Sequence, residues 1–252
     1  MIRLQKWIAE LGIASRREAE EWLKEGRLTV NSEPASIGHK IDPEKDRVYL
    51  DGKSLTPKKA APKVYWLFHK PEKMHSARNT QEETQPSIFS LPSLRKIKFT
   101  LTPIDKLDYL SSGLMLLTSD RDLASVAKRY MECDEQSFYV LLNQKLRPDQ
   151  INKIRAAAKK QGEKTSAKIQ FIRGQKIGKM QAAWYDLTIK VPSLRALRQL
   201  FRLVEVEIKG LTRYRVHSFY LPDSLKPGEY IQLTAKQIQH FKETCAKHEE
   251  LD

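Results

Sequence analysis

Leu4, Trp7, Ile8 and Leu11 recur at the i, i+3, i+4, i+7 spacing that lines up four apolar side chains on one helix face, and Gly12 predicts where that helix stops. A second helix announces itself at Ser15. With Glu18 three residues on, Ser15 forms a capping-box pattern, in which the hydroxyl accepts from the Glu18 amide and the carboxylate reaches back to the Ser15 amide. Ala19, Trp22 and Leu23 then form its apolar side, and Gly26 closes it. Two β-rich runs follow at residues 27–31 and 47–50, the second ended by Asp51-Gly52. Residues 56–63, TPKKAAPK, read as a semi-extended charged linker. Beyond it the pattern changes: strands are predicted at residues 64–69, 138–142, 168–171 and 185–191, and helices at 123–130, 149–159 and 194–203. The class predicted is α+β. A small helix-rich module (1–55) and a linker (56–63) precede a larger domain (64–252) with a mainly antiparallel sheet flanked by helices.

Charge sharpens this picture. The 252 residues carry 45 Lys+Arg against 31 Asp+Glu, a balance of 45 − 31 = +14, which favours an anionic partner. Residues 1–59 hold 12 basic and 10 acidic side chains, a net of +2, whereas residues 153–216 hold 16 and 4, a net of +12. Trp184, Tyr185, Phe201 and Tyr214 are interleaved with those charges, a combination suited to following a phosphate backbone and stacking on bases. No run approaches the length of a membrane span, and the charged start lacks the apolar core of a secretory signal, so a cytosolic protein is expected. Cys133 and Cys245 lie far apart without a C-x-x-C pattern, and His240, Cys245 and His248 match no standard ligand spacing, so neither a disulfide framework nor a metal site is expected. Nucleotide-phosphate cradles of the G-x-G-x-x-G or Walker type do not occur.

Chemistry concentrates in residues 102–118, TPIDKLDYLSSGLMLLT. Here Lys106 and Asp108 stand beside an apolar β-rich run, with Ser-Ser-Gly predicted as a tight turn between them. On the residues alone, Asp108 reads either as a turn former or as a carboxylate for covalent or electrostatic catalysis, its apolar neighbours lowering the local dielectric. Arg16 and Arg17 oppose the dipole of the helix they begin, and either an anionic backbone or the nearby Glu20 and Glu21 would compensate.

Two stretches carry a family resemblance. GIASRREAEEWLKEGRLTVN resembles the RNA-binding module named after the fourth small-subunit ribosomal protein, with Ser32 where the usual VNG has its glycine. Residues 102–118 resemble the G-R-L-D-x-x-[ST]-x-G-L-[LI]-x-[LM]-T motif of RNA pseudouridine synthases, in the branch that modifies ribosomal RNA. Lys70-Pro71 matches that branch's N-K-P, and residues 225–234, LKPGEYIQLT, match its C-terminal stretch. The resemblance implies an isomerase that converts uridine in ribosomal RNA, naked or in a ribosomal particle, to pseudouridine. It implies Asp108 as the catalytic aspartate, acting on the base, on the ribose or on a sugar proton. Each route needs the uridine out of its helix, and none needs a metal or cofactor.

Three positions depart from the motifs. Asp105-Lys106 stands for Gly-Arg, which keeps a positive charge but not the planar fork. Phe138 stands for the active-site tyrosine, and Tyr139 falls on the other face of its strand. Ser193, a predicted N-cap, stands where the family arginine taken to pair with the aspartate would lie. The expected site is therefore Asp108 oriented by Lys106 and Arg195, with Phe138 stacking on the target and Arg16, Arg17, Lys70 and Arg198 gripping RNA. A carboxylate without its cation would rise in pKa, so the alternative function is a catalytically impaired RNA-binding protein of ribosome assembly. Sequence-specific DNA binding is disfavoured, because no helix-turn-helix reading pattern occurs. A monomer is expected.

Overall fold

The computed structural model describes residues 1–55, 63–77, 85–97, 100–132, 134–160 and 167–249; most of the linker and Cys133 lie outside them. The chain separates into two compact units, Met1–Lys63 and Val64–Asp252. In the first, strand β1 (Ile2–Arg3) leads into α1 (Leu4–Glu10), and α2 (Arg16–Lys24) follows. Both halves of the Ser15–Glu18 capping box are present, at 3.1 Å and 2.7 Å, a device worth about 1 kcal/mol at a helix start. β2 (Leu28–Val30), β3 (Glu33–Pro34), β4 (Lys40–Ile41), β5 (Val48–Leu50) and β6 (Lys53–Ser54) complete the unit. Four of them form a small antiparallel sheet in the order β3-β2-β5-β6, while β4 pairs with β1. Leu4, Trp7, Ile8, Ala19 and Leu23 close on Leu28, Val30 and Val48, so the predicted helix faces are the ones that pack.

The second unit is one large sheet. Its strands are β7 (Tyr65–Lys70), β8 (Thr102–Pro103), β9 (Ser111–Thr118), β10 (Gln136–Leu142), β11 (Lys168–Ile177), β12 (Met180–Ile189), β13 (Ile208–Val216), β14 (Phe219–Tyr220) and β15 (Tyr230–Gln232). Its helices are α3 (Pro92–Arg95), α4 (Arg121–Glu132), α5 (Pro148–Lys160), α6 (Leu194–Arg202) and α7 (Ala235–Glu249). The path runs β11-β12-β10-β13-β9-β7-β15, with β14 beside β13 and β8 beside β9. Every pairing between these strands is antiparallel except β13 with β9. This is the predicted α+β class. On one face Phe138, Val140, Leu187 and Leu211 pack under α5 and α6 through Ile154, Leu197, Leu200 and Phe201. On β7 and β9 the alternation divides two clusters: Tyr65, Leu67, Leu114 and Leu116 meet α4 and α7, whereas Trp66, Phe68, Met115 and Leu117 meet Ile88 and Leu94. Each such fully buried side chain contributes on the order of 2 kcal/mol. No described helix is long and apolar enough to cross a membrane.

One prediction fails locally. Ser111, Ser112 and Gly113 are not a turn; they open strand β9, and the turn is Asp108–Ser111, closed by the Ser111 amide donating to the Asp108 carbonyl at 3.2 Å. The glycine answers a different need. Gly113 has φ +106° and lies opposite Arg213 in the parallel pair, where any Cβ would overlap the Arg213 carbonyl.

Candidate active site

The loop from Ile104 to Leu110, between β8 and β9, is held by its apolar and polar members alike. Ile104 and Leu107 are buried, the Leu107 carbonyl accepts from Ser76 Oγ at 2.7 Å, and the Tyr109 carbonyl accepts from the Lys73 amide at 2.8 Å. Asp105 forms an ion pair with the fully buried Arg213, whose guanidinium also donates to Gln136 Oε1 and the Leu114 carbonyl. With its neighbours pinned, the loop presents the Asp108 carboxylate at 36% exposure.

Arg198 meets that carboxylate with two donors, Nε to Oδ2 at 3.0 Å and Nη2 to Oδ1 at 3.2 Å. Ser111 ties the pair together: its hydroxyl donates to Asp108 Oδ1 at 2.6 Å and accepts from Arg198 Nη2 at 3.1 Å. Burial alone would raise the Asp108 pKa. The hydrogen bonds from Arg198 and Ser111, with the charges of Arg198 and Lys70, outweigh burial and hold it below the usual carboxylate value. Asp108 is therefore ionised at neutral pH. A cleft of about 410 Å³, lined by Leu110, Asn143, Arg198, Arg202, Glu205 and Glu207, meets the cluster through Arg198.

Helix α6 supplies Arg198 because its apolar stripe fixes its rotation. Ser193 caps it, accepting from the Ala196 amide at 3.2 Å, and Leu197, Leu200 and Phe201 bury against the sheet. At about 100° per residue, Arg198 lies on the flank of that stripe and Arg195 on the side away from it. Arg195 is exposed and the cation paired with Asp108 is Arg198, not the Arg195 expected there. The helix stripe was the sequence signal that would have separated the two arginines.

Lys70 also moves from its expected place. It is fully buried at the end of β7, donating to the carbonyls of Ser111 at 2.7 Å and Pro71 at 3.0 Å. Burial pushes its pKa down to about 8, against the opposing pull of Asp108 and Glu72. It is a support of the Asp108 turn rather than a surface contact. Phe138 has no exposed surface and belongs to the core under α6, so it offers no free ring to a base. Lys106 is exposed on the loop, and Arg16 and Arg17 are exposed on the first turn of α2. Asp105 stands out in the sequence only as a departure from the family motif and Ser111 only as a turn residue at that motif's Ser or Thr position, and no signal there marks Arg213. Among the described residues no group of three or more His, Cys, Asp or Glu side chains is placed to hold a metal ion.

The S4 domain model matches residues 2–48, and the RNA pseudouridylate synthase model matches residues 64–209. The chain is similar to ribosomal large subunit pseudouridine synthase B of Yersinia pestis, at 28% identity over 246 residues, covering 96% of this chain and 75% of that one. It is 26% identical over 246 residues to the protein of the same name from Escherichia coli K12, covering 96% and 82%. A crystal structure of a pseudouridylate synthase superposes with a TM-score of 0.56 at 24% identity, covering 96% of this chain and all of that one, and shows the shared fold.

Proposed function

The chain belongs to the RNA pseudouridylate synthase family, and from that membership we propose that it isomerises a uridine of ribosomal RNA to pseudouridine, with Asp108 as its catalytic carboxylate. The observation that carries the reading is the Asp108–Arg198–Ser111 cluster, whose Arg198 also lines an open cleft. Isomerisation breaks the C1′–N1 bond, forms C1′–C5 and releases the C5 proton, while N1 gains one; the balance calls for no outside oxidant or reductant. It calls for a carboxylate that stays charged while partly desolvated, and a bidentate guanidinium provides for that. The target base must leave its stack to reach Asp108, and Arg202 and Leu110 are at the cleft to meet it.

Ribosomal RNA is the proposed substrate because both relatives above are named for the large ribosomal subunit. Arg16 and Arg17, at the exposed start of α2 within the matched S4 module, are the proposed phosphate contacts. Action as a monomer, in the cytoplasm, belongs to the same proposal. The reading as an impaired enzyme depended on an unpaired Asp108, and the carboxylate is paired. The test is pseudouridine mapping of ribosomal RNA from cells lacking this protein, complemented with wild type or with Asp108→Asn. One site should vanish on deletion and return only with wild type; no lost site, or full rescue by Asp108→Asn, rejects the proposal.

A further inference from the structure

We infer that the sheet face opposite α6 is a second RNA site, which takes a single-stranded segment with Tyr139 as its stacking platform. Along β10, Phe138 and Val140 join Leu197 and Phe201 of α6 in one core cluster, whereas Tyr139 between them is 42% exposed on the other face. Its ring stacks on that of Tyr214 at 4.4 Å between centroids and 23° between planes, and the Tyr214 hydroxyl donates to Asp186 Oδ1 at 2.9 Å. The platform is thus braced from behind, which lowers the entropy lost when a base stacks on it. Asp186 lies directly across from Tyr139 on β12 and from Gln170 on β11, and Thr188 lies across from Lys168. Lys168, Gln170, Asp186 and Thr188, with Arg155 of α5 at the edge strand β11, line a cleft of about 390 Å³ that none of the Asp108 machinery touches.

The chemistry of this face selects the occupant. An exposed ring, a carboxylate, a hydroxyl and an amide offer stacking and base-edge hydrogen bonds, while Arg155 and Lys168 offer charge to phosphates at the rim. Beyond them, exposed Arg173, Lys176 and Lys179 extend the positive charge along the β11–β12 hairpin, and no acidic residue occurs from Lys164 to Tyr185. Asp186 would repel a duplex lying phosphate-first across the strands; a single strand places its bases there and its phosphates outward. That the ligand is RNA rests on the function proposed above, but binding here requires no turnover.

The test uses the full chain and a 12-nucleotide single-stranded oligoribonucleotide carrying 4-thiouridine, photocrosslinked and mapped by mass spectrometry. Crosslinks are expected on the peptide containing Tyr139 or Tyr214. Tyr139→Ala should remove them and weaken binding about tenfold, in line with the stacking contribution of one base. Tyr139→Phe should restore both. Lys168→Glu, an exposed change with no packing role, should weaken binding severalfold. Pseudouridine formation at saturating ribosomal RNA should stay within twofold of wild type for Tyr139→Phe and Lys168→Glu. Crosslinks confined to the Asp108 cleft and the first unit overturn the inference, as does undiminished binding by Tyr139→Ala and Lys168→Glu. Equal competition by an RNA duplex, or a crosslink at Tyr139 to a polypeptide alone when the reaction is run in cell extract, also overturns it. A wild-type protein that crosslinks at Tyr139 but forms no pseudouridine would refute the proposed function and leave this site standing.

Discussion

Two aspartate–arginine pairs hold one short loop, and they do opposite work. Asp105 with Arg213 is shut away, at 15% and 1% exposure, and its guanidinium is consumed by Gln136 and the Leu114 carbonyl as well. Asp108 with Arg198 is open, at 36% and 19%, and Arg198 lines the cleft. In the buried pair the charges answer each other with little access to solvent, so its role is to fix the loop. In the open pair the same chemistry keeps a carboxylate charged and within reach of a solute. Burial, rather than residue type, divides anchor from reagent.

Asp108→Asn should break the open pair's function most completely. Turnover is expected to fall at least about a thousandfold, on the scale of losing a group that acts only in the reaction, while the melting temperature stays near that of wild type; single-turnover pseudouridine formation and thermal melts check both. Arg213→Met should show the reverse pattern, costing about 3–5 kcal/mol because Asp105 is left charged without its partner. Urea unfolding measures this, and Asp105→Leu combined with Arg213→Met should recover much of the loss. If Arg213→Met proves as mild in stability as Arg198→Lys, the division between the pairs is wrong. Arg198→Lys keeps the charge but not the fork, so a roughly tenfold to hundredfold loss of turnover is expected with stability within about 1 kcal/mol.

Smaller effects sharpen the electrostatics. The folded-state pKa of Asp108 is depressed, so its stabilising contribution is complete above the ordinary carboxylate value and is lost as pH falls through the lower folded value. Activity should follow the same acid limb. Ser111→Ala removes one of the hydrogen bonds that depress it, so the limb should move to higher pH with a severalfold loss of rate; an unmoved limb would show Ser111 to be mere packing. Lys70 titrates at about 8 in the folded protein, below its unfolded value of about 10.4. Between those values the unfolded chain binds more protons, so stability should rise with pH across that window. Deprotonation near pH 8 also withdraws a cation from beside Asp108, predicting an alkaline limb there that Lys70→Met flattens.

Much of this fold was legible along the chain. Local signals that need only a few neighbouring residues, such as the Ser15–Glu18 box and the Leu4–Leu11 face, recur in the structure as read. The errors have a common cause in partners far away in sequence. Gly113 looks like a turn residue until Arg213 is laid against it, a hundred positions on. Lys70 looks like a surface cation until the Ser111 carbonyl is placed over it. Choosing Arg198 over Arg195 required knowing which side of α6 faces the sheet, and aligning the motif position by position does not carry that rotation.

The parallel pairing of β9 with β13 also bears on the order of events during synthesis. Leu211 must find Ser111, Asp105 must find Arg213, and Asp108 must find Arg198, each across about a hundred residues of chain. Closing so long a loop costs conformational entropy before any contact repays it, so these contacts belong to the late steps of folding. A nascent chain that has not yet released Arg213 from the ribosome holds neither the anchor nor the strand that seats Gly113. The carboxylate would stay unpoised until nearly the whole second unit had emerged, and competence to modify RNA would arrive together with completion of the fold.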